Sequence, residues 1–369
     1  MYNKILWLPG LLRQLLFYIC SGAFVLACTS CGSSKPQKFQ AEFDGLFDTH
    51  SEIIGYAGSQ NEFTEYSDKI YSEMTEYSRL FDIYNNYEGI NNLKTINDKA
   101  GVEPVAVDDR IILFLEFCIN NYHNVDKKVN IAMGSVLTIW HDFRERGNAE
   151  PEKAALPNMS DLRAASLNMD INDLIIDITN KTVFLKKSGM SLDVGAAAKG
   201  YASKLAADAA KAIGMTSALI DIGGNVVAVG KPLDGVRERW GVGIQDPRPS
   251  ANGSANILDT VFINDCAVVT SGDYERYYIV AGIRYNHIID PETLMPARKF
   301  ASVTVIHLDS GIADELSTAL FITDEMEGRE ICKRNNAEAI WVNLDGKITY
   351  TDGYKAISKI YGGYSSVDS

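Results

Sequence analysis

Hydrophobic positions along this chain recur with two distinct periods. Phe63, Tyr66, Ile70, Met74, Tyr77 and Leu80 follow one another at spacings of three and four, which puts them on one face of an amphipathic helix. Residues 109–122 read as a second helix with Asp108 as its N-cap, and residues 198–213 as an alanine-rich helix stopped by Gly214. Residues 312–322 form a fourth. Shorter apolar runs bounded by turn residues read as strands: 174–178 and 182–185 around Asn180-Lys181, 217–222 running into Gly223-Gly224, then 226–229. Strands at 261–263, 267–269 and 302–308 follow. Hairpins are expected where 277–280 and 284–289 flank Ala281-Gly282, and where 339–342 and 347–350 flank Asp345-Gly346. Hairpins mixed with helices imply an α+β fold rather than a doubly wound parallel sheet.

The N-terminal segment follows neither period. Lys4 and Arg13 precede an apolar run, residues 15–27, that is short for a membrane span and right for a signal peptide. It ends in Val25-Leu26-Ala27-Cys28, which resembles a bacterial lipobox in which the cysteine is lipidated. The expected organisation is a signal peptide over 1–27, a flexible tether over 28–40 beginning at lipidated Cys28, and one folded domain over 41–369. The expected location is the outer face of a bacterial cell membrane. Cys118, Cys266 and Cys332 are isolated in apolar stretches, which favours buried thiols over disulfides or a zinc site. A net charge of -13 argues against a nucleic-acid surface, though it leaves room for a local anion pocket.

Three segments carry candidate chemistry. In Asp193-Val194-Gly195-Ala196-Ala197-Ala198-Lys199, small residues join a strand end to a helix start. A ligand can approach such a backbone closely, and helix-start amides with Lys199 favour a phosphate. An ordinary strand-to-helix turn has the same pattern. No Gly-x-Gly-x-x-Gly follows a strand, and Gly224 to Pro232 fails the Walker spacing. Next, Thr270-Ser271-Gly272-Asp273-Tyr274-Glu275-Arg276 interrupts an apolar run and by itself reads as a solvated loop; His287 by itself reads as structural. Last, Asp314 and Thr318 are one helical turn apart, a hard-oxygen pair suited to Mg²⁺, although a threonine bonded back to its own helix fits equally.

Taken in order, these segments resemble the ApbE family. Its signature is Asp-x-Gly-x-x-Ala-Lys-Gly-Tyr-Ala, Gly-Gly-Asn/Asp, Thr-Ser-Gly-Asp-Tyr-Glu-Arg-Tyr, His-Ile-Ile-Asp-Pro and Ala-Asp-x-x-Ser-Thr-Ala, and all five blocks occur here between about Phe47 and Phe321. The resemblance implies an ApbE-like α+β fold of mixed sheets with packed helices. It implies Mg²⁺-dependent transfer of FMN from the substrate FAD to a Thr or Ser hydroxyl of an acceptor protein, with release of AMP. The acceptor expected is an exported subunit of a redox complex. Asp193, Lys199 and Ile288 would contact FAD, with Phe47 and Tyr84 at flavin-contacting positions. The Ala196 carbonyl and the side chains of Asp314 and Thr318 would hold the metal. His287 would be the general base, its imidazole poised near neutral pH. Two other outcomes stay open: hydrolysis of FAD to FMN and AMP by the same residues, and a lipoprotein that binds FAD without turnover. The chain departs from the family where Trp-Gly-Phe-Gly is usual, having Trp140-His141-Asp142-Phe143 instead.

Overall fold

A computed structural model describes residues 35–248 and 256–364. The signal segment, Cys28 and the start of the tether lie outside the described residues. Residues 37–40, read as tether, instead begin strand β1 (Gln37–Leu46), which pairs antiparallel with β2 (Thr49–Ala57). Lys38, Gln40, Glu42 and Asp44 alternate with Phe39, Ala41 and Phe43, and those three apolar side chains pack on the core.

Helix α1 (Gln60–Leu80) starts at Ser59, whose side chain accepts from Glu62 N, and buries Phe63, Ile70, Met74 and Leu80 as its periodicity requires. Short α2 (Leu93–Asp98) and β3 (Val105–Ala106) lead to α3 (Asp109–Asn124), capped by Asp108. Then come α4 (Gly134–Ala149), α5 (Met159–Ser166), β4 (Leu174–Asp177) and β5 (Thr182–Leu185). Helix α6 (Ala198–Ala212) precedes β6 (Ala218–Ile222), β7 (Asn225–Val229), β8 (Trp240–Gln245), β9 (Ile257–Ile263) and β10 (Ala267–Gly272). The hairpin β11 (Tyr277–Val280) and β12 (Ile283–Asn286) is followed by β13 (Phe300–His307), α7 (Ser310–Ile322), α8 (Glu325–Asn335), β14 (Glu338–Asn343) and β15 (Ile348–Tyr350).

The main sheet is antiparallel throughout, in the order β1-β2-β6-β7-β10-β13-β14-β15. Helices α1, α6 and α7 cover one face, and the β8–β9 ribbon covers part of the other through Trp240, Val242 and Ile244. Strand β13 is therefore buried at every position but His307. A second core joins α3 to the three-stranded sheet β3-β5-β4 and to Leu192, Val194 and Ala197 just before α6. A third packs Trp140 of α4 and Leu162 of α5 against Tyr278 and Ile289. These layers give the α+β architecture expected from the sequence.

Two local expectations change. Residues 270–272, read as solvated loop, extend β10, and the adjacent Asp273 is buried under Arg248 and Arg284, each 3.0 Å away. Strand β12 ends at Asn286 rather than running to Ile289, because Asn286 Nδ2 donates to Ala297 O (2.7 Å) and its Oδ1 accepts from Ile288 N (2.9 Å). His287 thus sits on a bend. Cys118 and Cys332 are buried free thiols and Cys266 is half-buried. Among the described residues, no helix is long and apolar enough to cross a membrane.

Helices α6 and α7 approach closely at Gly200, where an added Cβ would lie 2.3 Å from Asp314 Cβ and 2.4 Å from Ser310 O. Neither obstacle is the end of a flexible side chain, so Gly200→Ala should force the helices apart. The expected cost is about 1–3 kcal/mol, seen as a lower urea midpoint with unchanged slope. An unchanged midpoint would contradict the close packing.

Candidate active site

A cavity of about 540 Å³ lies where the start of α6, the β6–β7 turn, the end of β10, the bend after β12 and the first turns of α7 converge. Its size is ordinary for a small-molecule site. Phe47, Tyr84, Asp193, Ala196, Lys199, His287, Ile288, Asp314 and Thr318 all line it, so every folded-domain residue singled out from the sequence is brought together.

Asp314 forms the floor and is 5% exposed. Its Oδ2 accepts from Gly200 N at 2.8 Å and from Asn225 Nδ2 at 3.5 Å. Burial raises its carboxyl to about 6, against the pull of Lys199, the Gly200 amide and Asn225. Half-buried Thr318 stands one turn further along α7, with its Oγ1 3.5 Å from Ser271 Oγ. The Gly200 amide lies in the first turn of α6, where amides have no acceptor within the helix. It goes to Asp314, and among the described residues Ala196 O accepts no backbone hydrogen bond.

A buried carboxylate short of positive charge, a neighbouring hydroxyl and an orphaned carbonyl on one cavity fit a hard cation such as Mg²⁺. Among the described residues no cluster of three His, Cys, Asp or Glu forms a metal site, so one carboxylate with neutral oxygens would be the whole protein donor set.

The phosphate-binding expectation for the helix start is modified. Ala197 N and Ala198 N donate to Val194 O, Tyr201 N donates to Ala197 O and Gly200 N serves Asp314, so most of these amides are already used. Cationic side chains remain for an anion. Lys199 Nζ donates to Gly223 O at 3.2 Å, and Arg144 and Arg276 also line the cavity. Asp193 receives Gly195 N on Oδ1 at 2.9 Å; burial raises its carboxyl while Arg276, His141 and Arg144 draw it down.

His287 Nδ1 is 3.2 Å from Arg276 O. A carbonyl only accepts, so this contact selects the Nδ1–H tautomer and leaves Nε2 as the proton acceptor. The ring is partly open to the cavity yet hemmed in by protein. Burial, then Arg276, Arg144 and Lys199, push its pKa down to about 3, so the imidazole is firmly neutral rather than poised near pH 7.

The sequence reading missed Asp221, His141, Arg144 and Arg276 as cavity residues. Asp221 sits beside the Gly223-Gly224 turn and accepts from Gly224 N at 2.8 Å. Its placement in the chain, two residues before a noticed glycine pair, was the available signal. His141 and Arg144 lie in the stretch that departs from the family pattern, and they reach the cavity because that stretch is the helix α4.

Comparison with known proteins bears on the family and the fold. The ApbE family profile matches residues 47–341, reaching beyond the Phe321 limit read from the motifs. The chain is 34% identical over 242 residues to the FAD:protein FMN transferase of Treponema pallidum (strain Nichols), covering 62% of this chain and 64% of that protein. It is 31% identical over 302 residues to the FAD:protein FMN transferase of Klebsiella pneumoniae (strain 342), covering 79% of this chain and 90% of that protein. Its fold superposes on the ApbE protein of Thermotoga maritima MSB8 with a TM-score of 0.75 and 28% identity, over 87% of this chain and 99% of that one. With most of its length matched by the family profile, the chain belongs to the ApbE family.

Proposed function

We propose that this protein transfers FMN from FAD to a Thr or Ser hydroxyl of an acceptor protein, with Mg²⁺, and releases AMP. The observation that carries the reading is the convergence of Asp314, Thr318, Ala196 and His287 on one cavity that also presents Lys199, Arg144 and Arg276. The relatives' name describes FMN transfer from FAD to a protein. In this reading Asp314, Thr318 and the Ala196 carbonyl hold the metal, which supplies charge neutralisation at the FAD phosphates when bound. Lys199 adds positive charge beside Asp314, and Phe47, Tyr84 and Ile288 offer apolar and aromatic surface for the flavin half. Neutral His287 takes the hydroxyl proton at Nε2, and its Nδ1–H bond to the Arg276 carbonyl fixes the ring. Catalysis by positioning and electrostatics suits phosphoryl transfer, which needs no covalent enzyme intermediate. The reading extends to export: Val25-Leu26-Ala27-Cys28 would leave the mature protein lipid-anchored outside the cell membrane, where its acceptor would be an exported redox subunit.

Metal dependence tests the donor set. Asp314 contributes its only formal charge, so Asp314→Ala should abolish FAD turnover. Thr318→Val should leave an enzyme whose activity recovers partly at high Mg²⁺, and EDTA should silence the wild type reversibly. Mn²⁺ binding followed by electron paramagnetic resonance should weaken in the same order. Superimposable Mg²⁺ curves for the three proteins would remove the metal from this reading.

His287→Ala should lower turnover about 10²–10⁴-fold at saturating FAD while leaving FAD affinity nearly intact. A merely structural histidine would cost stability and keep activity per folded molecule. Because the folded pKa is depressed to about 3, the free enzyme keeps the basic form throughout the neutral range. His287 should therefore contribute no acidic limb to the pH profile of kcat/KM near the ordinary histidine value, and a limb at about 6 would belong to Asp314 and persist in His287→Gln. A limb there that vanishes in His287→Gln would contradict the assignment.

A further inference from the structure

The cavity continues outward. A second opening of about 520 Å³ adjoins it and shares Asp48, Tyr84, His141, Arg144, Glu275 and Arg276 with it. Glu145, Asn148 and Tyr277 line the outer cleft alone. His141, Arg144, Glu145 and Asn148 stand at i, i+3, i+4 and i+7 of α4, a single helix stripe. The first two belong to both spaces and the last two only to the outer one, so the stripe runs from solvent to the inner cavity.

Seven residues of helix rise about 10 Å, the length of about three residues of extended peptide. The facing wall is the backbone run from Glu275 to Tyr277, and Arg276 in it holds His287 through its carbonyl. Asn148 Nδ2 donates to Tyr277 O at 3.2 Å and ties the two walls together. Charges of both signs alternate with the rings of Tyr84 and Tyr277. Such walls suit the amides and polar side chains of a peptide and offer no continuous apolar surface to an acyl chain.

We infer that this cleft receives the acceptor as an extended segment of about three residues, hydroxyl residue innermost, laid along the α4 stripe. The inference rests on the transferase reading. The hydroxyl oxygen bonds to the FMN-side phosphorus, and the bond from that phosphorus to the bridging oxygen breaks. AMP leaves with that oxygen, and the proton passes to His287 Nε2. The stripe begins at His141, within the stretch where the family's Trp-Gly-Phe-Gly gives way to Trp140-His141-Asp142-Phe143.

The test obstructs the outer cleft alone. Glu145 and Asn148 are exposed, so Glu145→Trp and Asn148→Trp should fold; Asp142→Trp, exposed on the same helix but lining neither space, is the control. Each full-length protein receives FAD, Mg²⁺ and a peptide library randomised around one fixed threonine. FMN-labelled peptide is read by mass, and FAD affinity by flavin fluorescence. Wild type and Asp142→Trp should label peptides. The two blocked variants should lose at least about tenfold in labelling while their FAD dissociation constants stay within about twofold. Undiminished labelling in the blocked variants would overturn the inference. So would a parallel loss of FAD affinity, which would assign the cleft to the flavin, or a wild type that labels whole proteins but no peptide. A wild type that releases no AMP with either kind of acceptor would sink the transferase reading itself.

Discussion

The hydrogen bond from Gly200 N to Asp314 Oδ2 is the constraint on which the site depends. It exists because glycine lets the first turn of α6 lie against α7 with no Cβ between them. It turns the buried carboxylate so that one oxygen is spent within the protein. It also satisfies a first-turn amide of α6 that has no partner within its own helix. One contact thus orients the only charged oxygen donor of the set and fixes its place at a helix–helix crossing. Burial makes the carboxylate costly to ionise, and a cation would relieve that cost. The site therefore gives up stability in the metal-free protein to gain affinity for a charge.

Charge is distributed around this point in a consistent way. The protein is strongly acidic overall, yet Lys199, Arg144 and Arg276 line one cavity. They draw down the carboxyls of Asp314 and Asp193 and keep His287 neutral. Because Asp48, Asp82, Asp193, Asp221, Glu275 and Asp314 line the same cavity, an anionic pyrophosphate would depend on these cations locally and on a metal held at Asp314. The elements that carry these groups belong to different cores, so the cavity occupies the seam between layers rather than the interior of any one.

Much of this was legible in the sequence where local rules decide the outcome. The period of α1, the Asp108 cap of α3, the alanines of α6 and the Asp345-Gly346 turn fixed elements that the structure reproduces with shifts of a few residues. The five motifs named the cavity residues because each motif sits at the end of an element that points there. Strand β1 was missed because its exposed positions are polar enough to read as tether. Helix α4 was missed because its buried face, Val136, Trp140 and Gly147 at i, i+4 and i+11, carries few fully buried apolar side chains. The chemical state of His287 was misjudged for a different reason: its neutrality depends on burial and on three cations distant in sequence, which no local pattern records. Asp221 and Arg276 reach the cavity through the topology of the sheet and hairpin, and Arg144 through the placement of α4, which a local pattern does not fix.

The central claim is that this cavity splits FAD between its two phosphates and delivers the FMN half to a protein hydroxyl. The most direct measurement is a mass balance on the full chain incubated with FAD, Mg²⁺ and exported proteins of the producing bacterium. AMP release and acid-stable flavin on precipitated acceptor protein are counted in the same tube. The account predicts equal amounts of the two, with little free FMN. AMP matched by free FMN, with no flavin retained on protein, would contradict it.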